Sequence, residues 1–322
     1  MVCDGMEDMN KGRGTGNSLR RLIGLLAALM LLSVICAGCT MPVNNSKRTL
    51  TVTDDYGRSV KVVQGAMRII SLAPSDTEII YALGLGDRVV AVDNNSNYPA
   101  ETASKPKVSG YKWLDMETIL GLKPEIVFAA DINKDIITQL EERGLAVVVL
   151  APKNVSQVFD NIRLVGRTMG VESKGKEVAA SLEARVKAIT GKSLAPGVAK
   201  PRVYLELDAF MGYYTYGPGT FGDELISLAG GANIAHDQGT QYPPLANEFI
   251  VASDPQIIIY QTGPWTTTTP QGIVARTGWG NITAVRESRL FGVDGDLVSR
   301  AGPRVVVALE AMAKDIHPEI TF

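Results

Sequence analysis

Cysteine and histidine are nearly missing from this 322-residue chain, and that scarcity excludes much chemistry at once. The three cysteines, Cys3, Cys36 and Cys39, all fall within the first 39 residues. The body of the protein therefore has no disulfide framework and no thiolate metal site. The two histidines, His236 and His317, cannot furnish the several ligands that a bare zinc or manganese ion needs. No G-x-S-x-G is present, so a nucleophile-elbow hydrolase has no support. A net charge of −2 lacks the basic excess expected for a nucleic-acid partner or a polybasic membrane surface. No apolar run reaches the roughly 18 residues that a membrane-spanning helix requires. Aromatics are sparse, at 6%, and where they fall matters more than their number.

What is present begins with a targeting pattern. Arg20 and Arg21 precede an apolar run from Leu22 to Ile35, which as a helix would be about 21 Å long, short of the roughly 30 Å hydrocarbon core. Cys36-Ala37-Gly38-Cys39 follows. It resembles the lipobox of bacterial lipoproteins, with Cys36 where that motif usually has leucine. On this resemblance residues 1–38 are a signal peptide, Cys39 is the lipidated first residue of the mature chain, and 39–48 form a tether. Two or three acyl chains suffice for stable anchoring.

Beyond the tether, strand and helix signals alternate. Thr49 to Val63 reads as a β-hairpin around Asp54-Asp55-Tyr56-Gly57. Ile69 to Leu72 reads as a buried strand, and Ser75-Asp76-Thr77-Glu78 as a capping box opening a helix that stops at Gly84. Val89 to Val92, Glu125 to Ala129 and Ala146 to Leu150 are further strands, with helices at Met116 to Leu120, capped by Asp115, and at Asn133 to Arg143. Residues 155–193 carry no strand signal. There Val178, Leu182, Val186 and Ile189 form one helical stripe, a rod of roughly 30 Å. The opening plan then returns: a strand from Arg202 to Leu207, a capped helix at Thr220-Phe221-Gly222-Asp223, a strand from Arg289 to Val293, and a last helix with Pro303 at its first position. Glu117 lies seven residues before Pro124, and Glu248 seven before Pro255, so the two motifs sit 131 residues apart. The expected architecture is α/β: Rossmann-like lobes with parallel sheets at 49–154 and 194–322, joined by a long rigid helix.

Two glycine motifs invite nucleotide readings. Gly217 to Gly222 fits G-x-G-x-x-G, but no strand directly precedes it and no acid closes the next strand. Gly170 to Glu177 nearly fits a P-loop, but Glu177 stands where Ser or Thr should hold Mg²⁺, and the segment joins two helices. The loops instead gather aromatics: Tyr98, Tyr111, Trp113, Tyr213, Tyr214, Tyr216, Tyr242 and Trp265. That clustering fits a cleft for a large, flat, partly apolar ligand.

The stretches TVTDDYGRSV, RIISLAPSDTEIIYALGLGDRVV, LKPEIVFA, YTYGPGTFGDELISLAGGANIA and VDGDLVSRAGPRVVVALEAMA together resemble the substrate-binding proteins of ABC importers. The likeness is to the class with a rigid connecting helix, which takes up cobalamin, ferric siderophores and haem. The resemblance implies an extracytoplasmic, lipid-anchored, monomeric receptor without catalysis or intrinsic cofactor, delivering a metal chelate to a permease dimer. It implies that Glu117 and Glu248, one per lobe, dock on that permease. It places ligand-framing aromatics at Tyr98, Tyr111 and Tyr242; Arg300, before Gly302-Pro303, has two readings, a cation for an anionic group at the lip or a partner in a surface salt bridge. Tyr214 and Trp265 join these as loop aromatics. Aromatic loops with few Lys or Arg favour a corrinoid over anionic siderophores and haem. The competing readings are an exported oxidoreductase using Gly217 to Gly222, and an adhesin that keeps the fold.

Overall fold

A computed structural model describes residues 48–110, 113–131, 134–209 and 212–322. The expected signal peptide, the tether and Cys39 lie outside the described residues, as does Tyr111.

Strands β1 (Thr49–Thr53) and β2 (Ser59–Val63) form an antiparallel hairpin. The first six-stranded sheet contains β3 (Ile69–Ser71), β4 (Val89–Asp93), β5 (Lys107–Gly110), β6 (Trp113–Leu114), β7 (Ile126–Ala129) and β8 (Val147–Val149), in the order β6-β5-β4-β3-β7-β8. Helices α1 (Pro74–Ala82), α2 (Met116–Gly121) and α3 (Lys134–Glu141) connect them. Helices α4 (Val155–Thr168) and α5 (Glu172–Ser193) lead into the second sheet. It is built from β9 (Arg202–Asp208), β10 (Tyr213–Thr215), β11 (Ala232–Asn233), β12 (Pro244–Leu245), β13 (Ile257–Thr262) and β14 (Leu290–Asp294). Its order is β12-β10-β9-β13-β14, with β11 also on β9. Helices α6 (Phe221–Leu228), α7 (Asn247–Ser253), α8 (Gly295–Ser299) and α9 (Val305–Ile316) follow, with two short helices, Pro270–Val274 and Thr283–Arg286, between α7 and α8. No helix among the described residues is long and apolar enough to cross a membrane.

The sheets are parallel at their centres but not throughout. β6 runs antiparallel to β5, and β10 runs antiparallel to both β9 and β12. These peripheral strands are two or three residues long and carry no alternation to read. The expected capping box does not form. Pro74 occupies the first helical position of α1, so Ala73 is the N-cap and Ser75 is already helical. The fixed φ of proline suits that first position, whereas an N-cap residue must be extended. Ser75 donates to Asp76 Oδ1 instead, and Glu78 turns toward Arg304. The last helix also begins later than expected, with Arg304 as N-cap.

Alternation along the central strands assigns the core. Ile126 and Phe128 of β7, with Ile257 and Ile259 of β13, face one continuous cluster that also takes in α4, α5 and α9. Their neighbours Val127 and Ala129 face a separate cluster on the first sheet's other side, and Ile258 and Tyr260 one on the second's. Strand periodicity of two makes this division automatic. Since the inner faces of both sheets share one core, the two halves cannot part without exposing it. The α4–α5 contact is close enough to require glycine. A Cβ on Gly166 would lie 2.9 Å from Gly175 Cα, which accounts for Gly175 in the near-P-loop. Arg185 of α5 grips Glu310 of α9 with two bonds of 2.8 Å, tying the connecting helix to the last one.

Candidate ligand-binding cleft

Parallel α/β sheets present their loops at the carboxyl ends of the strands, where ligands bind. Here both sheets contribute to one cleft of about 860 Å³. The first half supplies Ala73 to Ser75 after β3, Asn94, Asn95 and Asn97 after β4, Ala130 and Asp131 after β7, and Leu150 to Lys153 after β8. The second supplies Gly219 to Phe221, Gln241 and Tyr242, Pro264 and Trp265 after β13, and Asp296 with Ser299 to Ala301 around α8. The volume suits a ligand of drug size or larger.

Of the residues singled out from the sequence, Tyr242, Trp265 and Arg300 line this cleft. Trp265 is 84% exposed, so its indole is open at the lip. Tyr242 sits edge-on to Tyr216, with ring centroids 5.9 Å apart, and burial pushes its phenol pKa up. Tyr216 is held from behind by Ser299 and Gln261. Tyr98 is outside the lining; its ring carries the Arg304 guanidinium 4.0 Å above it. Tyr214 lies on β10, opposite Asp208 and Pro244, and is also outside the lining. Glu117 and Glu248 are exposed, each the second residue of a short helix, α2 and α7. Each helix follows an edge strand and leads into the strand beside the sheet's centre, so the repeat seen in the sequence is a repeat of position in the fold.

The charged lining is paired. Lys153 lies 3.5 Å from Asp131, which also accepts from the Tyr56 hydroxyl. Arg300 lies 2.8 Å from Asp296 and donates to Asn97 Oδ1 at 2.7 Å and to the Asn95 carbonyl at 3.2 Å. What remains for a ligand is amide and aromatic surface, chiefly Asn94, Gln241, Tyr242 and Trp265. Sequence reasoning passed over the asparagines, although the polar run from Asp93 to Asn97 was visible. It also passed over Lys153 and Asp131, which lack a local signal.

Two carboxyls lie buried under the Asn94–Asn97 loop. Asp93 accepts from Ser96 and from the Asn95 backbone, and burial nonetheless raises its pKa. Asp76 is 1% exposed, with Oδ2 unpartnered among the described residues. Burial, reinforced by the charge of Asp93, holds its pKa well above the ordinary 3.8. The folded protein thus keeps a proton that the unfolded chain releases. Between the two pKa values the folded state binds more protons, so stability falls as pH rises above about 3.8 toward the folded value. Asp76→Asn should remove this component. Urea denaturation of both proteins from pH 4 to 7 should show the variant losing less stability across the range; parallel profiles would mean that Asp76 ionises in the folded state.

The Gly217 to Gly222 motif is a turn into a capped helix. Thr220 caps α6 by accepting from the Asp223 amide, and a Cβ on Gly217 would collide with the Thr240 carbonyl. The strand that precedes it, β10, runs antiparallel to both its neighbours and is not the parallel central strand of a dinucleotide site.

Two α/β halves bridged by a long helix, sharing a core and enclosing one cleft, define a two-lobed solute-binding protein. The chain belongs to the periplasmic binding protein family, whose model matches residues 69–297. It is 32% identical to an uncharacterized ABC transporter substrate-binding lipoprotein of Bacillus subtilis, over 94% of this chain and 99% of the relative. Among solved structures it is similar to the periplasmic haem-binding protein of Roseiflexus sp. RS-1, with 28% identity and a TM-score of 0.70 over 79% of this chain and 99% of the other. It is similar also to the periplasmic vitamin B12-binding protein of Vibrio cholerae, with 26% identity and a TM-score of 0.68 over 79% and 98%.

Proposed function

We propose that this protein is an extracytoplasmic receptor that captures a corrinoid and delivers it to an ABC importer. The observation that carries the choice of ligand is the pairing of charge in the cleft: both cations among the described lining residues, Lys153 and Arg300, already have carboxylate partners. An anionic siderophore or the propionates of haem would have to compete with those carboxylates. A corrin ring edged with carboxamides would meet Asn94 and Gln241 as hydrogen-bond partners, and Trp265 and Tyr242 as apolar faces. The family likeness to a vitamin B12-binding protein supports this, and the likeness to a haem-binding protein keeps haem as the second ligand to try. Lipid anchoring through Cys39, as a monomer and with no catalytic step, completes the reading.

Glu117 and Glu248 are proposed to meet a cationic surface on a permease dimer, one acid from each lobe. A binding protein with a shared core moves its lobes little, so the cleft should be largely preformed. Calorimetric titration of the chain from Lys47 onward with cyanocobalamin should give submicromolar, one-to-one binding. Absence of heat at high concentration would eliminate corrinoids, and ferric siderophores and haem would follow in that order.

A further inference from the structure

One cluster of charge crosses between the lobes and reaches the cleft wall only at its end, through Arg300. Glu78 of α1 has a side chain only 2% exposed. Its Oε1 accepts from Arg304 Nη2 at 2.6 Å and lies 3.7 Å from Arg300 Nη1. Both arginines come from the segment joining α8 to α9, on the other lobe. Arg300 continues the crossing through Asn97 and the Asn95 carbonyl, and Asn97 Nδ2 donates to Asp296 Oδ2 at 3.2 Å. A chain of contacts therefore runs from buried Glu78 to the cleft-lining groups Arg300, Asn97 and Asp296.

The Glu78–Arg304 contact is half made. An arginine fork and a carboxylate favour two parallel bonds. Here Glu78 Oε2 and Arg304 Nε are both buried, and both lack a partner among the described residues. Their own side chains already meet at the other prong. The free oxygen lies against Gly302, where a Cβ would stand 3.1 Å from it, so glycine at this position leaves the space open. A buried donor and a buried acceptor left unmade on one pair disfavour this arrangement relative to one in which they meet.

We propose that Glu78 is a positioning residue for ligand capture: with Arg304 it forms an interlobe clasp that holds Arg300 at the cleft and gains its second bond when the lobes close on a ligand. This rests on the cleft being the binding site, and not on the ligand being a corrinoid. Glu78 itself touches no ligand.

The test uses the full-length protein in detergent micelles and hydrogen exchange read by mass spectrometry. Without ligand, Glu78→Gln weakens the clasp, and amide exchange across residues 94–99 and 296–304 should rise about tenfold or more while α4 and α5 are unchanged. Wild-type exchange in both segments would overturn the clasp. Arg304→Lys keeps a single charged contact but has no second prong. Its ligand-free exchange should match wild type, whereas its ligand dissociation should quicken about tenfold and the ligand-induced protection of residues 94–99 should be lost. Wild-type dissociation and protection in Arg304→Lys would overturn completion of the fork. Cyanocobalamin, ferrichrome and haemin are run in parallel on the wild type, so failure of cyanocobalamin alone counts against the corrinoid reading, while the ligand-free arm decides the clasp.

Discussion

Replacing Glu117 and Glu248 together by alanine should abolish cellular uptake of the ligand while leaving the affinity of the isolated receptor unchanged. Both acids are exposed at the starts of short helices, and neither makes an ion pair or side-chain hydrogen bond among the described residues. Their removal should therefore change folding stability by no more than about 0.5 kcal/mol. At a protein interface the same charges weigh far more. Losing one partner of a desolvated charge pair costs roughly 2–5 kcal/mol, so losing two weakens docking by several orders of magnitude. Each single substitution should give an intermediate loss. Uptake assays in cells carrying the double variant decide the matter, with ligand affinity measured separately; uptake at wild-type level would show that these acids do not dock.

Arg276→Ala should be among the most destabilising substitutions in the second lobe, costing roughly 3–5 kcal/mol. Arg276 bonds both carboxylate oxygens of Glu206, at 2.5 and 2.9 Å, and Glu206 is 1% exposed. The guanidinium also lies 4.9 Å from the Tyr213 ring centroid and 4.5 Å from that of Trp279. Alanine would leave a carboxylate buried with, among the described residues, only the hydroxyls of Thr268 and Tyr204 bonded to it. A total stability of about 5–15 kcal/mol makes such a loss a large share of the whole. The combined change Arg276→Met with Glu206→Gln should cost less than Arg276→Ala alone, because no charge remains unpaired. Urea denaturation measures both; a loss under about 1 kcal/mol for Arg276→Ala would mean that water reaches Glu206 freely. The effect should extend to the cleft, since Thr268 bonds Glu206 from the loop that carries Trp265 at the lip.

These two predictions differ in how far the sequence announces them. The Glu117–Glu248 pair was visible because each glutamate sits at a fixed distance from a proline that ends a connection, and the spacing repeats. Nothing announced Glu206 and Arg276. They are 70 positions apart, on a strand and after a short helix, and only the folding of the 263–276 segment under β9 brings them together. Glu78 shows the reverse case, a residue with a clear local signal that proved misleading. The S-x-x-E pattern is real, but Pro74 begins the helix before Ser75 can cap it, and a long-range partner takes the carboxylate.

By itself the sequence determined the order of the central strands and the main helices, the caps at Asp115 and Thr220, and the internal repeat. Each of these depends on groups within a few residues of one another: a side chain meeting an amide three positions on, or a run of apolar residues facing one way. Tertiary structure alone decided which loop groups converge. It separated Tyr242 and Trp265, which line the cleft, from Tyr98, which lies under Arg304. It paired Arg300 with Asp296 and set Lys153 beside Asp131, and it joined the inner faces of both sheets in one core. Those outcomes depend on distances between segments far apart in the chain, set by packing and desolvation once the sheets assemble, and no local pattern encodes them.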